Sequence, residues 1–323
     1  MKRLSPAQHA LKQRRWRFSW LNLAIALVVF AAATVFAYPY AAQWVSQYNQ
    51  SNIIIDQAAA DRASGAEYAR EQIAKAQEYN RQLQAGGVME AGSNLVEGTG
   101  VDNGDLNYWN LLNNDPNHVM ARLRIPSIKL DLPVYHGTSD QVLLKGVGHL
   151  QRTSLPVGGV GTRSVLTGHR GLADAEIFTH LDRVKEGDTF SVEVMGEVFT
   201  YRVIETKVVE PNETEEIRAV PDKDLVTLIT CTPLGINTHR FLVTGERVWP
   251  TPQADLDAAG ERPSVPSFPW WLVIYLATVV AVAVWYWRAG YPAKTRRRSA
   301  ESEQKQHQLP LPKKVNEEAT DAG

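Results

Sequence analysis

Hydrophobic residues are distributed along this chain in three distinct ways. Residues 20–38 and 270–287 are apolar runs without a single Asp, Glu, Lys or Arg. As helices, each would span roughly 27–29 Å, close to the thickness of a bilayer core. Residues 41–85 are rich in Ala, Gln, Glu, Arg and Tyr, a helix-forming composition. Their apolar positions (Ile53, Ile54, Ala58, Tyr68, Ile73, Ala76, Leu83) are loosely spaced, which predicts exposed helices rather than core. A glycine-rich stretch without pattern follows, from Ala85 to Leu106, and predicts a mobile loop. From Val119 the period changes. Short β-branched runs cover 120–125, 132–135, 164–167, 190–194, 198–209, 226–230 and 241–248, separated by turn residues. Met195-Gly196-Glu197 reads as a hairpin turn. One amphipathic helix is predicted over 175–184, with Ile177, Phe178, Leu181 and Val184 on one face. Many short strands with little helix predict a mainly β fold, a closed or nearly closed barrel.

Charge and aromatic residues sharpen the reading of the two apolar runs. Trp16, Trp20, Tyr38 and Tyr40 bracket the first; Trp270, Trp271, Trp285, Tyr286 and Trp287 bracket the second. Aromatics of this kind sit at membrane interfaces. Lys2, Arg3, Lys12, Arg14, Arg15 and Arg17 precede the first run, and Lys294, Arg296, Arg297 and Arg298 follow the second. The positive-inside rule then places both termini in the cytoplasm and the barrel outside the cell membrane. A cleaved signal peptide is the alternative for the first run, a buried core helix for the second. The expected organisation is a basic tail (1–19), a membrane helix (20–38), an extracellular helical segment (39–85), a loop or lid (86–118), the barrel (119–250), a linker (251–269), a second membrane helix (270–287) and a basic, polar tail (288–323). The net charge of −1 gives no reason to expect nucleic acid as a partner.

Cys231 is the only cysteine. It has no disulfide partner within the chain, and one thiol is a poor start for a metal site, so no metal is expected. That leaves packing or reactivity. A reactive thiol needs a base and a group that stabilises an anion. Arg240 lies nine positions on, across a Pro/Gly/Asn turn, so two antiparallel strands would bring it near the sulfur. Its permanent charge can lower a thiol's pKa or bind an oxyanion, and a surface ion pair is the plainer role. The base is less certain: His118, His136, His149, His169, His180 and His239 are all candidates. His169 has the most suggestive setting, at the end of a strand-like run and between Gly168 and Gly171. It is 62 positions from Cys231, and spacing alone does not join them.

Five ordered segments carry a family resemblance. They are Arg124-Ile125-Pro126-Ser127-Ile128, then Leu132-Pro133-Val134-Tyr135-His136-Gly137-Thr138-Ser139, then Gly148-His149-Leu150 through Thr153-Ser154-Leu155-Pro156-Val157-Gly158-Gly159, then Leu166-Thr167-Gly168-His169-Arg170-Gly171, and finally Thr230-Cys231-Thr232-Pro233-Leu234-Gly235-Ile236-Asn237-Thr238-His239-Arg240. Together they resemble the sortase family, and within it the class C, pilin-polymerising group. The resemblance implies an eight-stranded sortase β-barrel with short helices. It implies a catalytic triad of Cys231 as nucleophile, His169 as general acid/base and Arg240 at the oxyanion, leaving His136 and His149 in structural positions. It further implies a cysteine transpeptidase that cleaves an LPXTG-like sorting signal between Thr and Gly, without cofactor, and passes it to a lysine amine of a pilin subunit. A housekeeping sortase acting on peptidoglycan is the alternative. The class C lid usually carries an Asp-Pro-aromatic anchor. Here the nearby Asp115-Pro116 is followed by Asn117 and lies close to the barrel, so lid contacts would fall to Tyr108 or Trp109. The acidic stretch of Glu210, Glu213, Glu215 and Glu216 reads either as a solvated loop or as a rim that favours a basic acceptor.

Overall fold

A computed structural model describes residues 15–85, 107–114, 117–264 and 266–291. The predicted loop over 86–106, Asp115-Pro116, most of the N-terminal basic cluster, the C-terminal cluster and the polar tail lie outside the described residues. The chain forms two compact units, Thr34–Tyr275 and Met1–Ala33 with Leu276–Gly323. Among the described residues two helices are long and apolar enough to cross a membrane. Helix α1 (Trp20–Ala85) contains the first apolar run, and the helix Trp270–Ala289 contains the second. Their apolar side chains, Val28, Val35, Phe36, Ile274 and Val280 among them, point outward without protein cover. In the smaller unit the Trp16 indole donates to the Trp287 carbonyl (3.2 Å), and the Arg17 amide donates to the Gly290 carbonyl (2.8 Å).

The larger unit is built on a closed barrel of eight strands: β1 (Val119–Ile125), β2 (Leu130–His136), β3 (Val147–His149), β4 (Thr162–Thr167), β5 (Thr189–Val194), β6 (Glu197–Val209), β7 (Asp224–Thr232) and β8 (His239–Arg247). Their order around the barrel is β1-β2-β3-β4-β7-β8-β6-β5. Two neighbouring pairs are parallel, β2 with β3 and β4 with β7; the rest are antiparallel. Seven strands coincide with the β-branched runs. The eighth, β3, escaped pattern reading because three residues are too few to show an alternation. The hairpin at Met195-Gly196 is as predicted. Both residues have positive φ (50° and 82°), as the tight turn that matches strand twist requires.

Three expectations are corrected. First, α1 is not merely exposed. It is broken at Gly65 (φ 82°, ψ 157°), and beyond the break Ile73, Ala76 and Tyr79 join the barrel's core cluster. Polar residues disguised this face: Gln50, Ser51, Gln57, Gln72 and Asn80 are buried too. Gln50, Gln72 and Asn80 are hydrogen-bonding partners for loop backbone. Asn80, for example, donates to the Leu155 carbonyl (3.0 Å) and accepts from its amide (2.7 Å). Second, the predicted helix over 175–184 is a set of turns ending in a 3-10 turn, Leu181–Arg183. Its apolar residues Ile177, Phe178, Leu181 and Val184 are all in the core, as their spacing implied.

Third, the expected linker after the barrel is a strap held to it. It carries a short helix, Gln253–Asp257. Arg124 donates to the Ala258 carbonyl (3.1 Å), the Gly260 amide to Glu193 (2.9 Å), and Thr200 to Asp255 (2.7 Å). Its centre is Arg122, whose side chain is 6% exposed. Arg122 grips Asp131 with two hydrogen bonds of 2.7 Å, pairs with Glu193 at 3.5 Å and donates to the Glu261 carbonyl at 2.8 Å. Composition hid this because, apart from Asp255, the strap is held by its carbonyls and an amide, which any sequence can supply.

Candidate active site

The β4–β7 pairing assembles the site. Thr162 pairs with Asp224 and each following residue keeps the register, to Thr167 with Ile229. The offset is 62 throughout, the same interval that separates His169 from Cys231. The chain carries this register past the ends of the strands. The Gly168 amide donates to the Ile229 carbonyl (3.1 Å), and the Thr230 hydroxyl donates to the Gly168 carbonyl (2.8 Å). One residue beyond His169, the Arg170 guanidinium donates to the Thr232 hydroxyl (3.1 Å). His169, in the loop that leaves β4, and Cys231, on β7, are therefore set against each other between two cross-links.

Alternation decides which way the cysteine faces. Leu166, Leu228 and Val243 lie in the core cluster. Period two from Leu228 turns Thr230 inward, where it is 1% exposed, and Cys231 outward, where it is half-buried. Antiparallel pairing of β7 with β8 sets Cys231 opposite Arg240 on the same outer face. The register thus brings all three sequence-predicted residues together. Among the described residues no hydrogen bond joins the thiol to His169 or Arg240. The Arg240 guanidinium donates instead to the carbonyls of Asn237 (3.3 Å) and His239 (3.1 Å) in the β7–β8 turn, which hold it at the rim.

Close packing fixes the His169 backbone. Its carbonyl accepts from the Phe178 amide (3.0 Å). A Cβ on Gly168 would come within 2.7 Å of the Phe178 ring and 2.9 Å of Ile177, so only glycine allows this approach. Gly171 has φ +77°, and a Cβ there would strike Leu234 of the opposite turn. The two glycines singled out in the sequence thus do different jobs: the first admits a neighbour, the second turns the chain.

His136 and His149 are buried in the fold, while His239 lies at the rim, paired with Thr232. His149 is fully buried; its Nε2 lies 2.9 Å from the Ser154 carbonyl and its Nδ1 3.0 Å from the Tyr108 hydroxyl. His136 is buried against the Leu111 carbonyl (2.8 Å). Burial pushes both imidazoles down to about 4, so both are neutral at pH 7. Their unfolded values lie near 6.5. Below that value the unfolded chain takes up protons that the folded chain refuses. Stability is complete above pH 6.5 and is lost as pH falls toward 4. Replacing His149 by Gln is expected to flatten this acid limb of the pH–stability curve measured by thermal melting. A limb of unchanged slope would show that His149 is not its source.

Tyr108 is 2% exposed and belongs to the core cluster. Its hydroxyl accepts from the Gly137 amide (2.9 Å) and meets His149. Trp109 is half exposed and packs on Tyr108 and His136. Tyr108 is thus anchored in the core, its ring against Tyr79 of helix α1 and its hydroxyl at the ends of β2 and β3. The acidic loop after β6 is partly self-neutralised, with Glu216 paired to Lys207 and Glu215 to Arg218 (2.8 Å). Arg163 holds its backbone through the Glu216 carbonyl.

With this geometry in hand, comparison with known proteins is decisive. The sortase-domain family model matches residues 123–248, the barrel almost from end to end. The crystal structure of sortase C-1 from Actinomyces oris is 47% identical, with a TM-score of 0.50, covering 56% of this chain and 98% of that one. The chain belongs to the sortase family. Sortase C from Streptococcus pneumoniae, whose structure was described in connection with pilin substrate specificity, is 36% identical with a TM-score of 0.53, covering 61% of this chain and 96% of that one. Sortase D from Bacillus subtilis is 32% identical over 129 residues, 39% of this chain, and this sortase spans 62% of that relative's length. The solved neighbours of this sortase are thus class C enzymes. Sequence reasoning missed Arg170 and Thr230 as members of the site, because their partners are 62 positions away in each case.

Proposed function

We propose that this chain is a membrane-anchored cysteine transpeptidase that polymerises pilin subunits, with Cys231, His169 and Arg240 as its triad. The observation that supports the reading is the parallel register of β4 with β7, whose offset of 62 is also the interval from His169 to Cys231, together with the pairing of Cys231 with Arg240 on β8. In this reading the Cys231 thiolate attacks the carbonyl carbon between Thr and Gly of an LPXTG-like sorting signal. The charge that develops on oxygen is met by the Arg240 guanidinium, which needs only to leave the turn carbonyls to reach it. His169, as imidazolium, gives its proton to the departing glycine amine, and a thioester remains. The now neutral imidazole takes a proton from an incoming lysine amine of a pilin. That amine attacks the thioester, an isopeptide bond forms, and the thiolate leaves. The energy of the first amide is kept in the thioester, so the cycle needs no nucleotide.

Location follows the same logic. Both apolar helices span the membrane in this reading. The Lys/Arg clusters outside them hold the termini, about 1–19 and 288–323, in the cytoplasm and the barrel, 119–250, outside.

The test is an acceptor competition. The purified full chain is given a pilin with an LPXTG-like tail, in the presence of a second pilin or of a peptidoglycan-stem amine. A ladder of pilin adducts joined through lysine, read by gel and mass spectrometry, is the expected product. Exclusive use of the stem amine would assign the chain to housekeeping anchoring instead.

A further inference from the structure

Arg170 stands next to His169, and nothing in the mechanism above uses it. Its side chain is 10% exposed. One arm reaches the Thr232 hydroxyl (3.1 Å), directly after Cys231, and the other pairs with Asp182 (2.6 Å). Asp182 lies in the 3-10 turn whose Leu181 is fully buried, so this partner is itself anchored to the core. Arg170 Nε is buried and has no hydrogen-bond partner among the described residues. A buried cation with an unsatisfied donor is costly. An apolar residue would pack there at lower cost, unless the two bonds it does make are needed.

Those bonds have a consequence for the site. Strand β4 ends at Thr167, and ladder pairing with β7 ends with it. Beyond that point His169 stands opposite Cys231 only through side-chain and single backbone links. Thr230 ties the residue before His169, and Arg170 ties the residue after it, to the two residues that flank Cys231. Loss of the second link frees the His169 loop to swing about the first. We propose that Arg170 is the positioning residue that holds the His169 imidazole opposite the Cys231 thiol, through its clasp on Thr232 and its anchor at Asp182. The proposal rests on the transpeptidase reading for its kinetic consequences, but its geometry can be read without turnover.

The geometric test introduces His169→Cys, so that mild oxidation can bridge position 169 to Cys231. The cross-links on either side hold position 169 against Cys231, the close approach of two chain segments that a disulfide requires. Adding Arg170→Gln is expected to slow bridge formation severalfold, and adding Arg170→Lys to slow it less; equal rates with and without Arg170 would overturn the proposal. The kinetic test uses the native site. Arg170→Gln is expected to lower kcat for sorting-signal cleavage on the order of 10–100-fold at unchanged KM, since a shift of about 1 Å costs that much. Thr232→Val should lower kcat in the same sense, and the double variant should be no worse than Arg170→Gln alone. A rise in KM alone would make Arg170 a substrate contact, and multiplying effects would show that it does not act through Thr232; either result refutes the clasp. If Arg170→Gln fails to fold, Thr232→Val and Asp182→Asn keep the guanidinium and carry both tests. A wild-type chain that cleaves no sorting signal but bridges at an Arg170-dependent rate would sink the activity reading and keep the clasp.

Discussion

Replacing Cys231 by Ala is expected to abolish acyl transfer and leave the barrel folded. Without sulfur no thioester can form, and only whatever binding and charge stabilisation the rest of the site supplies would survive. The loss in kcat should be on the order of 10⁵–10⁶-fold, as when the nucleophile of a catalytic unit is removed. Cys231 is half-buried on the outer face of β7 and outside the core cluster, so the thermal midpoint should move little. Mass spectrometry reads the decisive step: wild type accumulates a covalent adduct with the sorting-signal peptide, and Cys231→Ala shows none. Arg240→Ala should form the adduct on the order of 10²–10³-fold more slowly, the usual consequence of removing one oxyanion donor. Transfer that persists in Cys231→Ala would remove the thiol from the mechanism.

The largest expected effect on stability is at Arg122. Replacing it by Met leaves the Asp131 and Glu193 carboxylates buried without their cation, and cuts the strap loose at Glu261. Breaking one partner of a buried ion pair costs about 3–5 kcal/mol. The pH dependence has a definite sign. Burial already pushes the Glu193 carboxyl up, and the Arg122 charge pulls it back. Without that charge the folded chain holds protons that the unfolded chain releases above about pH 4, the ordinary carboxylate range. The deficit is then largest at neutral pH and shrinks as pH falls toward 4. Denaturant titrations of the full chain in detergent, followed by near-ultraviolet circular dichroism, measure both. Arg122→Lys keeps the charge and should lose less. A deficit independent of pH would mean that packing, not charge, dominates at this site.

Much of the architecture is legible in the chain because its signals are local. β-branched runs of four or more residues mark seven strands, and two uncharged apolar runs mark the membrane-length helices. Cys231 and Arg240 are one turn apart, so antiparallel pairing could be anticipated from nine residues of sequence. The failures also have local causes. Strand β3 is too short to alternate. The inward face of α1 is disguised by Gln and Asn residues that bond to loop backbone. The strap is held mostly by main-chain groups, which have no sequence signature, and by Arg122, which looks like any surface arginine until its partners at 131 and 193 are known.

The chemistry divides in the same way. Sequence determined that a lone thiol ends a β-branched run, with an arginine across the next turn. It could not select a base from six histidines, and the 62-residue interval to His169 had no meaning in one dimension. Only the tertiary structure turned that interval into the register of two parallel strands. Parallel neighbours must be joined by a long crossover, so residues that meet across them are always far apart in the chain. The same reason hid Arg170 and Thr232, which meet across that pair of strands one step beyond His169 and Cys231.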